Sequence, residues 1–413
     1  MKKEMLTILA AILLGLSSCK NNSQKAPETT ADGETISTLA SVEKENPNTD
    51  YKPAFVGQTR IAAVTTQTPY EGKVLTKDLK KPWGIVGLPD GRLLITEKEG
   101  TMRIATNTGT LSEPIKGIPE VDSKGQGGLL GLTLDPDFST NRMIFWVFSE
   151  KRPGGNLTAV AKGKLSADEK TIEGATVIYR ATPVYDGDKH FGGRILVDKS
   201  GNLFVSTGER SDIETRPQAQ QLNSALGKIL RITKDGKPAS GNPFVGKGDA
   251  RPEIYAYGNR NVQGLAFHPT TGDLWENEFG PKGGDELNII KAGKNYGWPI
   301  ITYGVEYKGP KIGAGIQQQE GLEQPVYYWD PVISASGMTF FSGDVIPEWT
   351  NNLFLACLSA KHIDRLVIKN NKVVGEERLL ETEKQRFRDI TQGKDGALYA
   401  VTDEGRLYRI FTK

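Results

Sequence analysis

A short pattern recurs four times in this chain: a turn dipeptide, a brief apolar strand, and a carboxylate where the strand ends. Asp90-Gly91 leads into Leu93-Leu94-Ile95-Thr96-Glu97, and Ser200-Gly201 leads through Leu203-Phe204-Val205-Ser206 to Glu209. Gly272-Asp273 leads into Leu274-Trp275 and on to Glu278, and Asp395-Gly396 into Leu398-Tyr399-Ala400-Val401 and on to Asp403. Turn residues of this kind set up hairpins, and the apolar runs are too short for helices. Several copies are followed by an outer strand with a basic–apolar pair, as in Met102-Arg103-Ile104, Leu230-Arg231-Ile232 and Tyr408-Arg409-Ile410. Units of a few strands, spaced by tens of residues, are the mark of propeller blades. The 47 glycines and 22 prolines fit many tight turns. The expected fold is therefore all-β, a six-bladed β-propeller with four-stranded blades over residues 62–413. A strand near Val74 to Asp78 is expected to close the ring beside Leu398 to Val401. In such a ring the inner strands converge, so the polar groups at their ends line one shared pocket.

The first residues belong to targeting rather than to the fold. Lys2 and Lys3 precede an apolar run from Met5 to Leu16, and Leu16-Ser17-Ser18-Cys19 resembles a lipoprotein cleavage box. Residues 1–18 are thus expected to be a signal peptide and Cys19 the lipidated first residue of the mature chain. Residues 19–61, polar and without apolar periodicity, are expected to form a flexible tether. The protein is then an exported bacterial lipoprotein, anchored on a membrane and facing the periplasm or cell surface. With Cys19 committed to lipid, Cys357 is left alone, so no intramolecular disulfide can form. The formal net charge of +2, from 52 basic and 50 acidic residues, provides no field for gathering nucleic acid.

Only three histidines are present, so a three-histidine metal site would consume them all. His190, just before Phe191-Gly192-Gly193-Arg194, reads better as a single acid–base group. Further segments complete a constellation: Gly258-Asn259-Arg260-Asn261-Val262-Gln263-Gly264, Glu278-Phe279-Gly280-Pro281, Asn295-Tyr296-Gly297-Trp298, Lys361, and Arg386-Phe387-Arg388. Arg386 and Arg388 are two apart, which on a strand puts both on one face. No His-Glu-x-x-His, zinc-type cysteine pair or Gly-x-Ser-x-Gly elbow is present.

The ordered set resembles the soluble quinoprotein sugar dehydrogenases of the glucose/sorbosone dehydrogenase family, from about Trp83 to Ile410. The resemblance implies an enzyme that oxidises aldoses at the anomeric carbon to lactones, with pyrroloquinoline quinone and Ca2+ as cofactors. It makes His190 the base that takes the anomeric hydroxyl proton while the hydride passes to the quinone. Arg260 is implied to polarise the reacting quinone carbonyl, and Asn261 and Gln263 to hydrogen-bond the cofactor rim. Lys361, Arg386 and Arg388 match the family's cations for the cofactor's carboxylates. Gly280 and Pro281 match main-chain ligands of the cofactor's calcium, Glu286 and the Tyr296 carbonyl those of a second calcium, and Gln126 a sugar-pocket residue. Glu209 stands where a carboxylate orients the histidine. Glucose-oxidising members carry aspartate there and before the histidine, where this chain has Glu209 and Lys189, so the sugar is left open. The electron acceptor is open as well, a cytochrome or a quinone being the candidates. A cofactor-free propeller binding module and a metal-dependent lactonase are the alternative readings.

Overall fold

The second strand of a blade is flanked by neighbouring blades on both faces, and the sequence shows it. Leu93–Glu97, Leu274–Glu278, Leu353–Cys357 and Leu398–Thr402 are buried at every position, continuous runs rather than the alternation of a half-solvated strand. The computed structural model describes residues 40–413, and in them six antiparallel sheets follow one another along the chain. Helix is confined to Phe138–Asn141 and three 3-10 turns.

Blade one comprises Pro82–Gly87, Leu93–Glu97 and Thr101–Ala105, and blade two Leu129–Leu134, Met143–Arg152, Gly155–Leu165 and Ile172–Arg180. Blade three holds Ile195–Val197, Leu203–Ser206, Lys228–Ile232 and Ile254–Tyr257, and blade four Val262–Phe267, Leu274–Glu278, Asp285–Ile290 and Tyr327–Trp329. Blade five is Ala335–Phe340, Leu353–Cys357, Ile363–Lys369 and Lys372–Leu379. Blade six is Phe387–Gln392, Leu398–Thr402, Leu407–Thr412 and the early strand Tyr70–Thr76. The first strand of each blade touches the first strands of the blades on either side, which closes the ring. Each of the six blade–blade interfaces has its own apolar cluster; Trp146, Leu129 and Met102 share the one between blades one and two, and Phe354 and Phe387 the one between blades five and six.

The six-bladed all-β expectation therefore holds, with three differences. Blade one has a ladder of three strands, its outer edge met only by the bridges Met102–Ile115 and Ala105–Leu111. Pro114 lies between those bridges and has no N–H to donate, so the fourth strand cannot continue. The closing strand, Tyr70–Thr76, pairs with Leu407–Thr412 and not with Leu398–Val401. Leu398–Thr402 already has a partner on each edge and no free backbone groups to offer.

The third difference concerns the tether. From residue 40 the chain is laid against the propeller as a strap. Asn48 and Thr49 send four hydrogen bonds to the Asp330 carboxylate, from Asn48 N (2.8 Å), Asn48 Nδ2 (3.0 Å), Thr49 N (3.0 Å) and Thr49 Oγ1 (2.9 Å). Glu43 pairs with Arg378, Thr66 with Glu377 and Thr68 with Glu348. A polar composition suggested a solvated segment over residues 19–61; within its described part, the Asp330 carboxylate and the Arg378 guanidinium give those polar groups fixed partners instead. The signal peptide and Cys19 lie outside the described residues, and no helix among the described residues is long and apolar enough to cross a membrane. Cys357 is a buried free thiol.

Candidate active site

The carboxylates that end the four sequence repeats share one structural task. Each turns back on the segment that enters the first strand of its own blade. Glu97 accepts from Lys80 N at 2.7 Å, and Glu278 from Arg260 N and from Asn261 N at 3.1 Å. Asp403 accepts from Arg386 Nε at 2.9 Å and Arg388 Nε at 2.8 Å, so the two arginines do share a face. Glu209 Oε1 is 2.7 Å from His190 Nδ1. In the other two blades a serine does the same work, Ser149 Oγ accepting from Gly128 N and Ser359 Oγ meeting Ser334 Oγ. The entering segments carry His190, Arg260, Arg386 and Arg388. The repeat that builds the blades thus also fixes the residues around the mouth of the ring.

A cavity of about 570 Å³ opens there. Among the expected residues, Gln126, His190, Arg260, Gln263, Gly280, Pro281, Arg386 and Arg388 line it. Asp403, the carboxylate that ends the fourth repeat, lines it too, and so do Lys81, Trp83, Lys98, Asp285 and Tyr307, which were not anticipated. Five cations face two carboxylates, Asp285 and Asp403, in that lining. Lys361 is not part of the wall: it is exposed, in the turn before Ile363–Lys369. Lys98 lines the wall instead, its Nζ donating to Ser123 O at 2.8 Å. The sequence did contain a signal for Lys98, since it directly follows Glu97, the carboxylate of the first repeat. Asn261 is fully buried behind the wall, its Oδ1 accepting from Gly192 N at 3.0 Å and Gln263 Nε2 at 3.3 Å.

His190 is held from several directions. Its backbone N donates to Gln126 Oε1 at 2.9 Å, and Gln126 N donates to Asp188 O at 2.7 Å. Its φ of +48° lies in the left-handed region, which a non-glycine residue adopts only under constraint from its surroundings. Gly192 follows at φ +66°, and a Cβ there would come within 2.6 Å of Thr207 Cα, so the turn admits only glycine. The Glu209 carboxylate has no proton to give, so Nδ1–H donates and Nε2 keeps its lone pair. Nε2 makes no hydrogen bond to the described residues, and the ring borders the cavity. Burial first, and the Arg260 charge second, push the His190 pKa down to about 4, with Glu209 opposing them. The imidazole is therefore neutral at physiological pH and has a free nitrogen facing the cavity.

Arg260 donates through Nη1 to Phe279 O at 2.9 Å and Gly280 O at 2.7 Å, and its guanidinium carbon is 5.0 Å from the Trp298 ring. It forms no direct ion pair with a described carboxylate, though its charge acts on the nearby Glu278 and Asp285 carboxyls beside the cavity. Asp285 accepts from Gly280 N at 2.7 Å and Ser334 N at 2.6 Å, and burial raises its pKa to about 7. Below this wall, Glu278, Gly280, Pro281, Glu286 and Tyr296 enclose a second void of about 10 Å³. Behind its Glu278 and Glu286 side chains, Asn259, Asn288 and Glu276 carry buried acceptors without donors: Asn259 Oδ1, Asn288 Oδ1 and Glu276 Oε2. Such a surplus of hard oxygen acceptors suits a calcium-type cation better than a water. Among the described residues no cluster of three or more His, Cys, Asp or Glu side chains has metal-holding geometry, so a cation here would depend on main-chain oxygens as well.

The mouth of the propeller thus holds a neutral histidine among fixed cations. The chain belongs to the glucose/sorbosone dehydrogenase family, whose model matches residues 79–409. It is 41% identical over 343 residues to the aldose sugar dehydrogenase YliI of Escherichia coli (strain K12), covering 82% of this chain and 92% of that protein. Against quinoprotein glucose dehydrogenase B of Acinetobacter calcoaceticus it is 30% identical, covering 81% and 85%. Among solved structures, the soluble aldose sugar dehydrogenase of Escherichia coli in its apo-form superposes with a TM-score of 0.79 at 40% identity, covering 83% of this chain and 99% of that one. The PQQ-bound aldose sugar dehydrogenase of Streptomyces coelicolor gives 0.68 at 29% identity, covering 84% and 100%.

Proposed function

We propose that the protein oxidises aldoses at the anomeric carbon to lactones, using pyrroloquinoline quinone and calcium. The observation that carries this reading is the free Nε2 of a neutral, Glu209-anchored His190 on the wall of a cationic cavity. A sugar placed with its anomeric hydroxyl at Nε2 gives up that proton to His190 as the C1–H bond breaks and the C1=O bond forms. The bound quinone, when present, supplies the two-electron acceptor for the hydride. Glu209 stabilises the imidazolium that results, and the fixed Arg260 charge favours negative charge gathering beside it. Arg386, Arg388 and Lys98 offer charge-assisted hydrogen bonds to carboxylates of the cofactor. Gly280 and Pro281 would hold the cofactor's calcium through main-chain oxygens, and Glu286 with the Tyr296 carbonyl a second calcium. Gln126, bonded to the His190 backbone, borders the place the sugar would take. A lactonase would need acidic ligands converging on the mouth, whereas this lining is mostly cationic. Membrane attachment through a lipidated Cys19 belongs to the same reading and rests on the lipobox alone.

The test is dye reduction by purified protein on a panel of aldoses, with quinone and calcium supplied together, singly or not at all. Activity should require both. His190→Ala should bind quinone normally and lose about 10²–10⁴ in turnover, the usual scale for a positioned base. Near-normal turnover in His190→Ala would overturn the reading.

A further inference from the structure

Arg210 is buried to 1% exposure and has no carboxylate within ion-pair distance among the described residues. A guanidinium withdrawn from water without a counter-ion is costly, so its other contacts must hold it there. They lead to the loop that ends in His190 and to Asn156 beside it, whose carbonyl accepts from Nη1 at 3.3 Å. Nε donates to Lys189 O at 3.0 Å, the carbonyl immediately before the histidine. Nη2 donates to Gly187 O and to Asn156 Oδ1, both at 2.6 Å. Asn156 Nδ2 in turn donates to the same Gly187 carbonyl at 2.9 Å. The guanidinium carbon is 4.0 Å from the Phe191 ring centre, a cation–π contact with the residue immediately after the histidine. One side chain therefore grips the loop on both sides of His190.

Its own backbone is bent to this purpose. Arg210 and Ser211 have φ of +74° and +75°, left-handed values that a non-glycine residue adopts only when its surroundings require it. Glu209 and Arg210 are adjacent, so a single turn supplies the carboxylate for the imidazole and the fork for the loop backbone. The φ of +48° at His190 needs such a hold, because left to itself the residue would relax out of the left-handed region and carry Nε2 with it.

We propose that Arg210 is a positioning residue for the reaction, fixing the His190 loop so that Nε2 faces the substrate. This rests on the reading of His190 as the base. Arg210 does not touch the cavity, so its removal acts on turnover through His190 and leaves quinone binding in place.

The experiment is a double-mutant cycle on the full chain, reconstituted with quinone and calcium. Arg210→Ala should lower kcat by about 10²-fold, the scale of a 1 Å misplacement, with KM and quinone affinity little changed. In a His190→Ala background the same change should cost almost nothing further. Arg210→Lys, which can reach one carbonyl but cannot fork, should fall between the two. Methylguanidinium should restore part of the Arg210→Ala activity by refilling the vacated place. Undiminished kcat in a quinone-binding Arg210→Ala protein would overturn the proposal, as would equal losses in both backgrounds. If Arg210→Ala fails to bind quinone, Arg210→Lys decides by the same cycle. Should His190→Ala itself keep normal turnover, the functional reading fails rather than the role of Arg210 alone.

Discussion

Arg194 Nη1 lies 2.6 Å from Asp389 Oδ2, a buried ion pair that joins blades three and six behind the cavity wall. Arg194 also donates through Nε to Gln263 O at 2.9 Å and sits 4.5 Å from the Trp83 ring, while Asp389 Oδ2 accepts from Ile85 N at 2.9 Å. Four blades are thus tied at one point. Removing one partner of such a pair strands the other charge. Asp389→Ala should cost about 3–5 kcal/mol of stability, read as a lower Tm by calorimetry. A loss under 1 kcal/mol would show that the pair does not hold the ring.

The pH dependence has a definite sign. The His190 pKa lies at about 4, below that of a free histidine, so the unfolded chain binds the extra proton first. Between about 4 and 6.5 this residue therefore contributes stability that increases with pH. Arg260 is one of the groups holding the value down. Arg260→Met should accordingly raise the His190 pKa and move the acid limb of kcat/KM to higher pH. An NMR titration of the histidine in the apoprotein checks the shift independently of turnover; a downward shift would contradict the electrostatics.

Lys98 borders the cavity and Lys361 does not. Lys98→Met should therefore weaken quinone binding by roughly 10-fold or more, the worth of a charge-assisted hydrogen bond of about 1.5–3 kcal/mol. Lys361→Met should weaken it less. Titration of the apoprotein with quinone, followed by fluorescence, ranks the two.

Calcium should stabilise the apoprotein before any quinone is added, because Asn259, Asn288 and Glu276, behind the Glu278 and Glu286 side chains, carry acceptors that lack donors. At 100 times its Kd the gain is about 2.7 kcal/mol, visible as a rise in Tm. Glu286→Gln should shrink that rise, and an unchanged rise would place the ion elsewhere.

The strap should be releasable. Asp330→Ala removes the acceptor of four hydrogen bonds from Asn48 and Thr49 and should cost about 1–3 kcal/mol. Limited proteolysis should then cut between residues 40 and 60 while the propeller stays whole. Resistance equal to that of the parent protein would mean that the strap is held by its other contacts.

The sequence by itself determined what is local. Turn dipeptides, short apolar runs and a carboxylate at the strand end specify a hairpin wherever they occur, because backbone geometry and alternation act over a few residues. That was enough to read the propeller and to mark Glu209, Glu278 and Asp403. His190 stood out by the glycines after it, which a close-packed turn requires. The tertiary structure decided what depends on how blades face one another. Arg194 and Asp389, 195 residues apart, meet only because the ring closes. Polar residues 40–61 look solvated until Asp330 beside blade four and Arg378 of blade five are in place to receive them. Lys98 was marked only by following the repeat carboxylate Glu97, and Lys361 only by resemblance; the direction in which each turn presents its side chain puts the first in the cavity wall and the second in solvent.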